Sequence, residues 1–376
     1  MDLTFSAAEQ AFRAEARAWL EANVPKTPLE SGDTREGFAA HVVWEKRLFD
    51  AGWAAVAWPR RYGGRDASLI EWLIFEEEYW RAGAPSRVTQ NGLFLLAPAL
   101  FGFGTEEQKE RLLPDIAAAR FLWAQGWSEP NAGSDLAALR SRAERVEGGY
   151  RLYGQKTWCT RGAFCDGIFG PFRTDPDAPP HKGLTYFLVP LKAPGVSVRG
   201  NRRLDGDEGF AEVFLDGVFV PDGDVLGRVN EGWKVAMTTT SSERGLSLRS
   251  PGRFMATAER LAELHRSRRA ADPGLCDRVA RAFIQAEAYR WFTFECAARM
   301  ANGQDPGPES SLSKLFWSEM DLAMHETALA LLGPSAELEE AWMKGYQFAL
   351  AGPIYAGTNE IQRNIVAERV LGLPRK

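Results

Sequence analysis

Gly126-Trp127-Ser128-Glu129-Pro130-Asn131-Ala132-Gly133-Ser134-Asp135 is the stretch on which the reading of this chain turns. It holds one proline, two glycines and several small hydroxyl or amide residues. Backbone amides in such a loop can face one way and form a nest for an anion, with Ser128 and Ser134 adding hydroxyl donors. The plainer alternative is a loop leading into a β region, with Asp135 capping a short helix at Leu136. Residues alone leave both open.

The texture of the chain changes at this loop. Upstream it reads helical: Phe5, Ala8, Phe12, Ala16 and Trp19 recur at helical spacing, and Pro25 closes that segment. Ile70 to Trp80 has the same period. Thr105-Glu106-Glu107-Gln108 is a capping box opening a helix through Leu112 and Leu113. Downstream of about Phe121, turn residues and strand-like runs take over. Gly148-Gly149 reads as a hairpin, Thr185–Val189 as a buried strand, and Asp216-Gly217 as a turn between Ala211–Leu215 and Val218–Val220. This region is expected to be a small antiparallel barrel or sandwich. Past Gly232 the helical period returns over Arg278–Met300, Ser311–Leu332 and Asn359–Leu371, the last expected to bury Ile361, Ile365 and Val370. Loops are expected at 268–274 and 302–308. This α, then β, then α order argues against a parallel α/β sheet. Gly102-Phe103-Gly104 lacks the third glycine and preceding strand of a dinucleotide fingerprint.

Composition sets outer limits. The 376 residues allow two or three domains, and 45% apolar with 25% charged residues is ordinary for a globular chain. A net charge of −5 argues against a nucleic-acid surface. Cys159, Cys165, Cys276 and Cys296 show no disulfide or metal pattern, nor do the four histidines, so no metal is expected. The N-terminus lacks a signal-peptide pattern. The longest apolar run, 92–104, is too short to span a bilayer. A cytoplasmic location is expected.

Two further segments could carry chemistry. In Lys156-Thr157-Trp158-Cys159-Thr160, strand alternation puts Trp158 and Thr160 on one face. An aromatic plane beside a hydroxyl suits a flat heteroaromatic ligand, and a core tryptophan is the alternative. Ser241-Ser242-Glu243-Arg244-Gly245 places a Glu-Arg pair near the start of the last helical region, where it could equally be a solvated face.

These features in this order resemble the acyl-CoA dehydrogenase family. The 126–135 stretch resembles its first signature, Gly154–Thr160 its second flavin motif, and Ile354-Tyr355-Ala356-Gly357-Thr358-Asn359-Glu360-Ile361-Gln362-Arg363 its C-terminal motif. The resemblance covers essentially the whole chain. It implies an α+β fold with an N-terminal helical domain (1–122), a middle antiparallel β-barrel (123–232) and a C-terminal helical bundle (233–376). It implies non-covalent FAD held by Gln125, Gly126, Trp127, Ser128, Ser134, Trp158, Thr160, Thr358 and Glu360, with Ser134 also bordering the acyl-CoA. The implied reaction removes the α-proton of an acyl-CoA thioester while the β-hydride goes to flavin N5, electrons passing to an electron-transfer flavoprotein.

Two departures matter. Many members place the catalytic glutamate in Tyr-Glu-Gly-Thr, but this chain has Tyr355-Ala356-Gly357-Thr358. The isovaleryl-CoA branch and bacterial steroid side-chain dehydrogenases place it in an earlier Glu-Arg segment, which Ser242-Glu243-Arg244 matches. The resemblance therefore makes Glu243 the base and gives Arg244 an orienting role toward substrate. The family's Arg-x-x-Phe-Gly is also missing. At that distance stands Arg268-Arg269-Ala270-Ala271-Asp272-Pro273. The expected assembly is a homo-tetramer, or an α2β2 hetero-tetramer in which a second dehydrogenase-like chain supplies the grip on FAD. A partner subunit with little activity alone, and a flavin oxidase or monooxygenase on the same scaffold, are the competing classes.

Overall fold

Ser6, Ser68 and Thr105 each cap a helix in the same way. The side chain accepts from the backbone N–H three residues on, where a Glu or Gln side chain reaches back. Each satisfies amide groups that a helix start leaves unpaired. The computed structural model of the chain describes residues 4–244, 250–268, 272–304, 307–338 and 340–374, apart from the side chains of 240–244, 309 and 340.

In chain order the helices before the strands are α1 (Ala7–Asn23), α2 (Arg35–Asp50), α3 (Leu69–Arg81), α4 (Ala97–Phe103) and α5 (Glu106–Ala117). The apolar run at 92–104 is a π turn over Asn91–Leu96 leading into α4, where Pro98 is tolerated in the first turn. The strands are β1 (Trp123–Gln125), β2 (Arg142–Val146), β3 (Gly149–Thr160), β4 (Gly167–Arg173), β5 (Leu184–Pro190), β6 (Val196–Asn201), β7 (Phe210–Pro221) and β8 (Val225–Leu226). After them come α6 (Gly232–Arg244), α7 (Pro251–Arg268), α8 (Pro273–Ala301), α9 (Ser310–Leu332), α10 (Glu340–Ala349) and α11 (Asn359–Ile365). The fold is α+β, with helical segments on both sides of a β region in the sequence, as expected.

The strands form one sheet in the order β6-β7-β3-β2-β4-β5-β8, with β1 added alongside β4. The expected hairpin at Gly148 joins β2 to β3, and the glycine takes φ +73°. The sheet is not wholly antiparallel. β1 runs parallel to β4, pairing Trp123 with Gly167 and Gln125 with Phe169. The β2–β3 hairpin intervenes between them, long enough for the chain to return in the same direction.

The expected turn at Asp216-Gly217 is a β-bulge inside one continuous strand. Leu152 pairs with Val218 and Tyr153 with Asp216, which leaves Gly217 as the extra residue, at φ +67°. Asp-Gly suits a hairpin turn and a bulge for the same reason: glycine enters the left-handed region without penalty. Leu152, Ile168, Phe172, Phe187, Val213, Val218 and Val220 form the core of this region.

By internal packing the chain divides into two units. One holds 1–26, 67–84 and 243–376, the other 27–66 and 85–242. In the helical unit, Phe254, Leu261, Tyr289, Trp317, Met320 and Met324 form the core. Leu73 and Ile74 of α3 meet Phe294 of α8 in a second cluster. Glu78 is buried there and accepts from Arg13, Arg17 and Arg81.

One expectation for the C-terminal part needs correction. Glu243 and Arg244 belong to α6, the first helix of the last helical region. α11 buries Asn359 and Gln362, while Val370 is 40% exposed. The straight helix also stops early, since a π turn over Val366–Val370 takes up its last residues.

Candidate active site

The 126–135 loop is built against β4. Gly126 N–H donates to Phe169 O at 2.9 Å, extending the β1–β4 ladder by one residue. A Cβ at Gly126 would stand 3.0 Å from Ile168 Cδ1, and one at Gly170 would stand 2.1 Å from Gly126 O. Glycine at both positions lets the two backbones close. Beyond this point Glu129 N–H and Ala132 N–H donate to each other's carbonyls at 2.9 and 3.0 Å, folding Pro130 and Asn131 into a tight turn. Those two amides are therefore occupied. Asp135 precedes a short 3₁₀ turn at Leu136–Ala138 without a side-chain capping bond. Trp127 Nε1 donates to Tyr186 Oη at 2.8 Å.

Ser128 O accepts from Thr157 N–H at 2.8 Å, which fastens the loop to β3. Beside this bond lies a buried ion pair that the sequence reading missed. Lys156 Nζ donates to Glu129 Oε1 at 2.9 Å and to Pro171 O at 3.0 Å. Glu129 also accepts from Arg140 N–H at 2.7 Å and Ser141 N–H at 3.0 Å. Burial pushes the Glu129 carboxyl up, but Lys156 and the Arg140 backbone outweigh it and hold it below the usual carboxylate range. Burial pulls the Lys156 ammonium down, with Glu129 opposing. A sequence signal existed: Lys156 has the inward parity of Leu152 on the same strand.

β3 bulges near its C-terminal end. Lys156 pairs with Val213 and Cys159 with Ala211, so Thr157 and Trp158 together face Glu212. Trp158 takes φ +57° and stands 62% exposed, edge-on to Phe210 at 5.7 Å. Plain alternation would have put Lys156 on the same face as Trp158 and Thr160. The bulge instead buries both Lys156 and Thr157 and leaves the indole outside. Immediately after Thr160, Arg161 turns at φ +55°, held by Asp33. Asp33 also accepts from Arg203 at 2.7 Å. Burial raises the Asp33 carboxyl, but Arg161 and Arg203 together outweigh it and hold it below its ordinary value.

The other expected site residues lie in the helical unit. Ala356 and Gly357 turn at φ +58° and +81°, and Gln362 Nε2 donates to the carbonyls of both, at 2.9 and 3.3 Å. Thr358 caps α11 through Ile361 N–H. Glu360 is exposed, 3.8 Å from Arg363. Asn359 Oδ1 accepts from the buried Lys314 at 2.7 Å and from Ser318 at 3.2 Å. Ala356 offers no group that could take a proton. Glu243 and Arg244 are the last described residues of α6, and their side chains lie outside the described residues. At the missing Arg-x-x-Phe-Gly, Arg268 ends α7 and donates to Ser335, while Asp272 caps α8; residues 269–271 lie outside the described ones.

Comparison with known proteins agrees along the whole chain. Residues 6–120, 124–218 and 230–371 match the models of the acyl-CoA dehydrogenase N-terminal, middle and C-terminal domains. The acyl-CoA dehydrogenase IpdE1 of Mycobacterium tuberculosis is 38% identical over 97% of this chain and 98% of its own length. FadE34 of the same organism is 39% identical over 88% of this chain, which corresponds to 46% of FadE34. A solved structure named Tcur3481-Tcur3483 steroid ACAD is 29% identical, with a TM-score of 0.90 and full coverage of both chains. The fold and these matches define a flavin-dependent oxidoreductase whose cofactor is FAD. The chain belongs to the acyl-CoA dehydrogenase family.

The residues present fit an FAD. Gln125 Nε2 is buried with no hydrogen-bond partner, a donor that a bound polar ring edge would satisfy. The exposed Trp158 indole offers an aromatic plane in the same unit, and Gly133 has open space where a Cβ would stand. Among the described residues no helix is long and apolar enough to cross a membrane.

Proposed function

We propose that this chain oxidises an acyl-CoA at the α,β positions with Glu243 as the general base. The observation that carries this reading is Ala356. The turn that commonly presents the base is built here and fixed by Gln362, yet it bears a methyl group. Glu243, in α6, is the carboxylate that the Glu-Arg segment supplies instead. A thioester α-proton is weakly acidic, so a carboxylate in this role needs its pKa raised toward neutrality by burial. Arg244 orients the substrate.

Gln125, Gly126, Trp127, Ser128, Ser134, Trp158, Thr160, Thr358 and Glu360 would hold the FAD, and Ser134 would also border the acyl-CoA. When bound, FAD supplies the acceptor for the β-hydride. The protein's part is to hold both reactants, exclude water and remove the α-proton. An electron-transfer flavoprotein is the proposed acceptor. The steroid ACAD likeness at 29% identity supports a bulky, polycyclic acyl group.

The Glu243→Gln variant tests the base. It should retain FAD and its visible spectrum yet fail to bleach with any member of an acyl-CoA panel. Full bleaching at the wild-type rate would remove Glu243 from the role.

A second reading concerns assembly. The sequence lacks Arg-x-x-Phe-Gly, and two similar solved structures carry paired names, Tcur3481-Tcur3483 and the ChsE4-ChsE5 complex from Mycobacterium tuberculosis. This favours a hetero-oligomer in which a second dehydrogenase-like chain completes the FAD site. Co-expression should recover both chains in one species with more FAD than either alone. Full FAD occupancy in a homo-oligomer would overturn it.

A further inference from the structure

We propose that Lys156 and Glu129 are a positioning pair that seats the flavin loop and sets the electrostatic field in which the flavin is reduced. The inference rests on the reading above, that the 126–135 loop and the end of β3 hold FAD.

Lys156 is 0% exposed. Its Nζ has three protons and reaches three acceptors: Glu129 Oε1, Pro171 O and, at 3.4 Å, Trp127 O. Two of the three belong to the loop and the third to β4. Glu129 in turn accepts from the backbone at Arg140 and Ser141, the approach to β2. One ion pair thus joins the loop to β3, to β4 and to the segment that enters β2. It stands next to the two features read as flavin contacts: Ser128 precedes Glu129, and Trp158 lies two residues beyond Lys156.

Stability does not account for the pair. A buried ion pair gains little over an apolar pair of the same shape, because desolvation consumes most of the attraction. What an ion pair does, and an apolar pair cannot, is fix two opposite charges at defined places in a low-dielectric interior, where their fields reach far. Removing one partner leaves the other as a net charge. Lys156 would keep two carbonyl acceptors, which oppose the pull of burial toward its neutral form, and Glu129 would keep two backbone N–H groups, which favour its ionised form.

This gives a signature with a sign. Glu129→Gln leaves a buried cation, which favours the electron-rich reduced flavin and moves its midpoint potential up. Lys156→Met leaves a buried anion and moves the potential down. The double variant returns toward wild type. Both single variants weaken FAD by roughly tenfold or more, the loss of about one strong hydrogen bond. Glu129→Asp keeps the charge on a shorter arm. It should lose FAD affinity while holding the wild-type potential, and it guards against a single variant that does not fold.

The experiment is midpoint potential by dye-equilibrated reduction and FAD affinity by fluorescence, on the FAD-loaded full chain purified with any partner subunit it carries. Opposite shifts in the two single variants, cancelling in the double, support the pair. Shifts of the same sign, or none while melting temperature falls, overturn it and leave the pair a structural tie. Ser128→Ala and Trp158→Ala separate the two levels. If both bind FAD as wild type does, the flavin assignment of the loop fails. If they weaken FAD while the opposite shifts are absent, the pair's role alone fails.

Discussion

The Asp33 carboxylate accepts from Arg161 Nε at 2.6 Å, and Arg161 is the residue that follows Thr160 at the end of β3. A second guanidinium, Arg203, lies on the other carboxylate oxygen. A residue in the turn before α2 therefore fixes the turn at the end of the strand that presents Trp158. Asp33→Asn removes the charge that Arg161 and Arg203 share; Arg203 keeps Asp205 and Asp207, so Arg161 is the largely buried cation that loses its carboxylate. The expected cost is about 3 kcal/mol, read as a lower midpoint in urea denaturation. A loss below about 1 kcal/mol would mean that solvent already screens the cluster.

Glu78 gives the clearest pH dependence. Burial raises its carboxyl, but hydrogen bonds from Arg17, Arg13 and Arg81 outweigh this and lower its pKa from an ordinary 4.5 to about 2. A folded-state pKa below the unfolded one means stability that is present in full above pH 4.5. It is lost as the pH falls from there to about 2. Unfolding free energy measured over that range should fall steeply in wild type and less steeply in Glu78→Gln. Parallel curves would show that the arginines do not act on this carboxyl.

Trp158→Ala separates binding from folding. The side chain is 62% exposed, so its loss should change stability by no more than about 0.5 kcal/mol. FAD affinity should nevertheless drop, because a flat aromatic contact is gone. Thermal melting of the apoprotein and an FAD titration read the two effects. Unchanged affinity would withdraw the indole from the flavin site.

Gly217→Ala tests the bulge in β7. A Cβ there would meet Tyr153 Oη at 3.5 Å, an ordinary contact, so the cost is that of φ +67° alone. That is about 1 kcal/mol, seen as a modest fall in melting temperature, with Gly217→Asn falling less. A larger loss would mean that the strand register has shifted.

What the sequence made legible follows from range. Capping at Thr105, the hairpin at Gly148 and the long helices of the C-terminal region depend on residues within a few places of one another. Gly217 was misjudged because hairpin turns and bulges demand the same residue. Only the partner strand decides between them, and its register is set by side chains more than sixty positions away. Lys156 and Glu129 went unseen for a related reason. They are 27 positions apart, and a lysine is rarely fully buried, so the inward parity of Lys156 does not by itself name Glu129 as its partner. The 126–135 loop is tied to flavin through family resemblance; its residues taken alone do not exclude a plain connection. The packing of α1 and α3 with the C-terminal helices, while α2, α4 and α5 go with the strands, had no local mark either.

The polar seat of α11 has one more consequence. An apolar helix face is forgiving, since a leucine slid by a fraction of a turn still finds grease. Asn359 and Gln362 have no such latitude, because each must find a particular oxygen or ammonium. The C-terminal segment is therefore indexed like a notched key and cannot creep along its groove. A mutation there should show itself less as a gradual softening than as a loss of the one setting in which Ala356, Gly357 and Thr358 are presented.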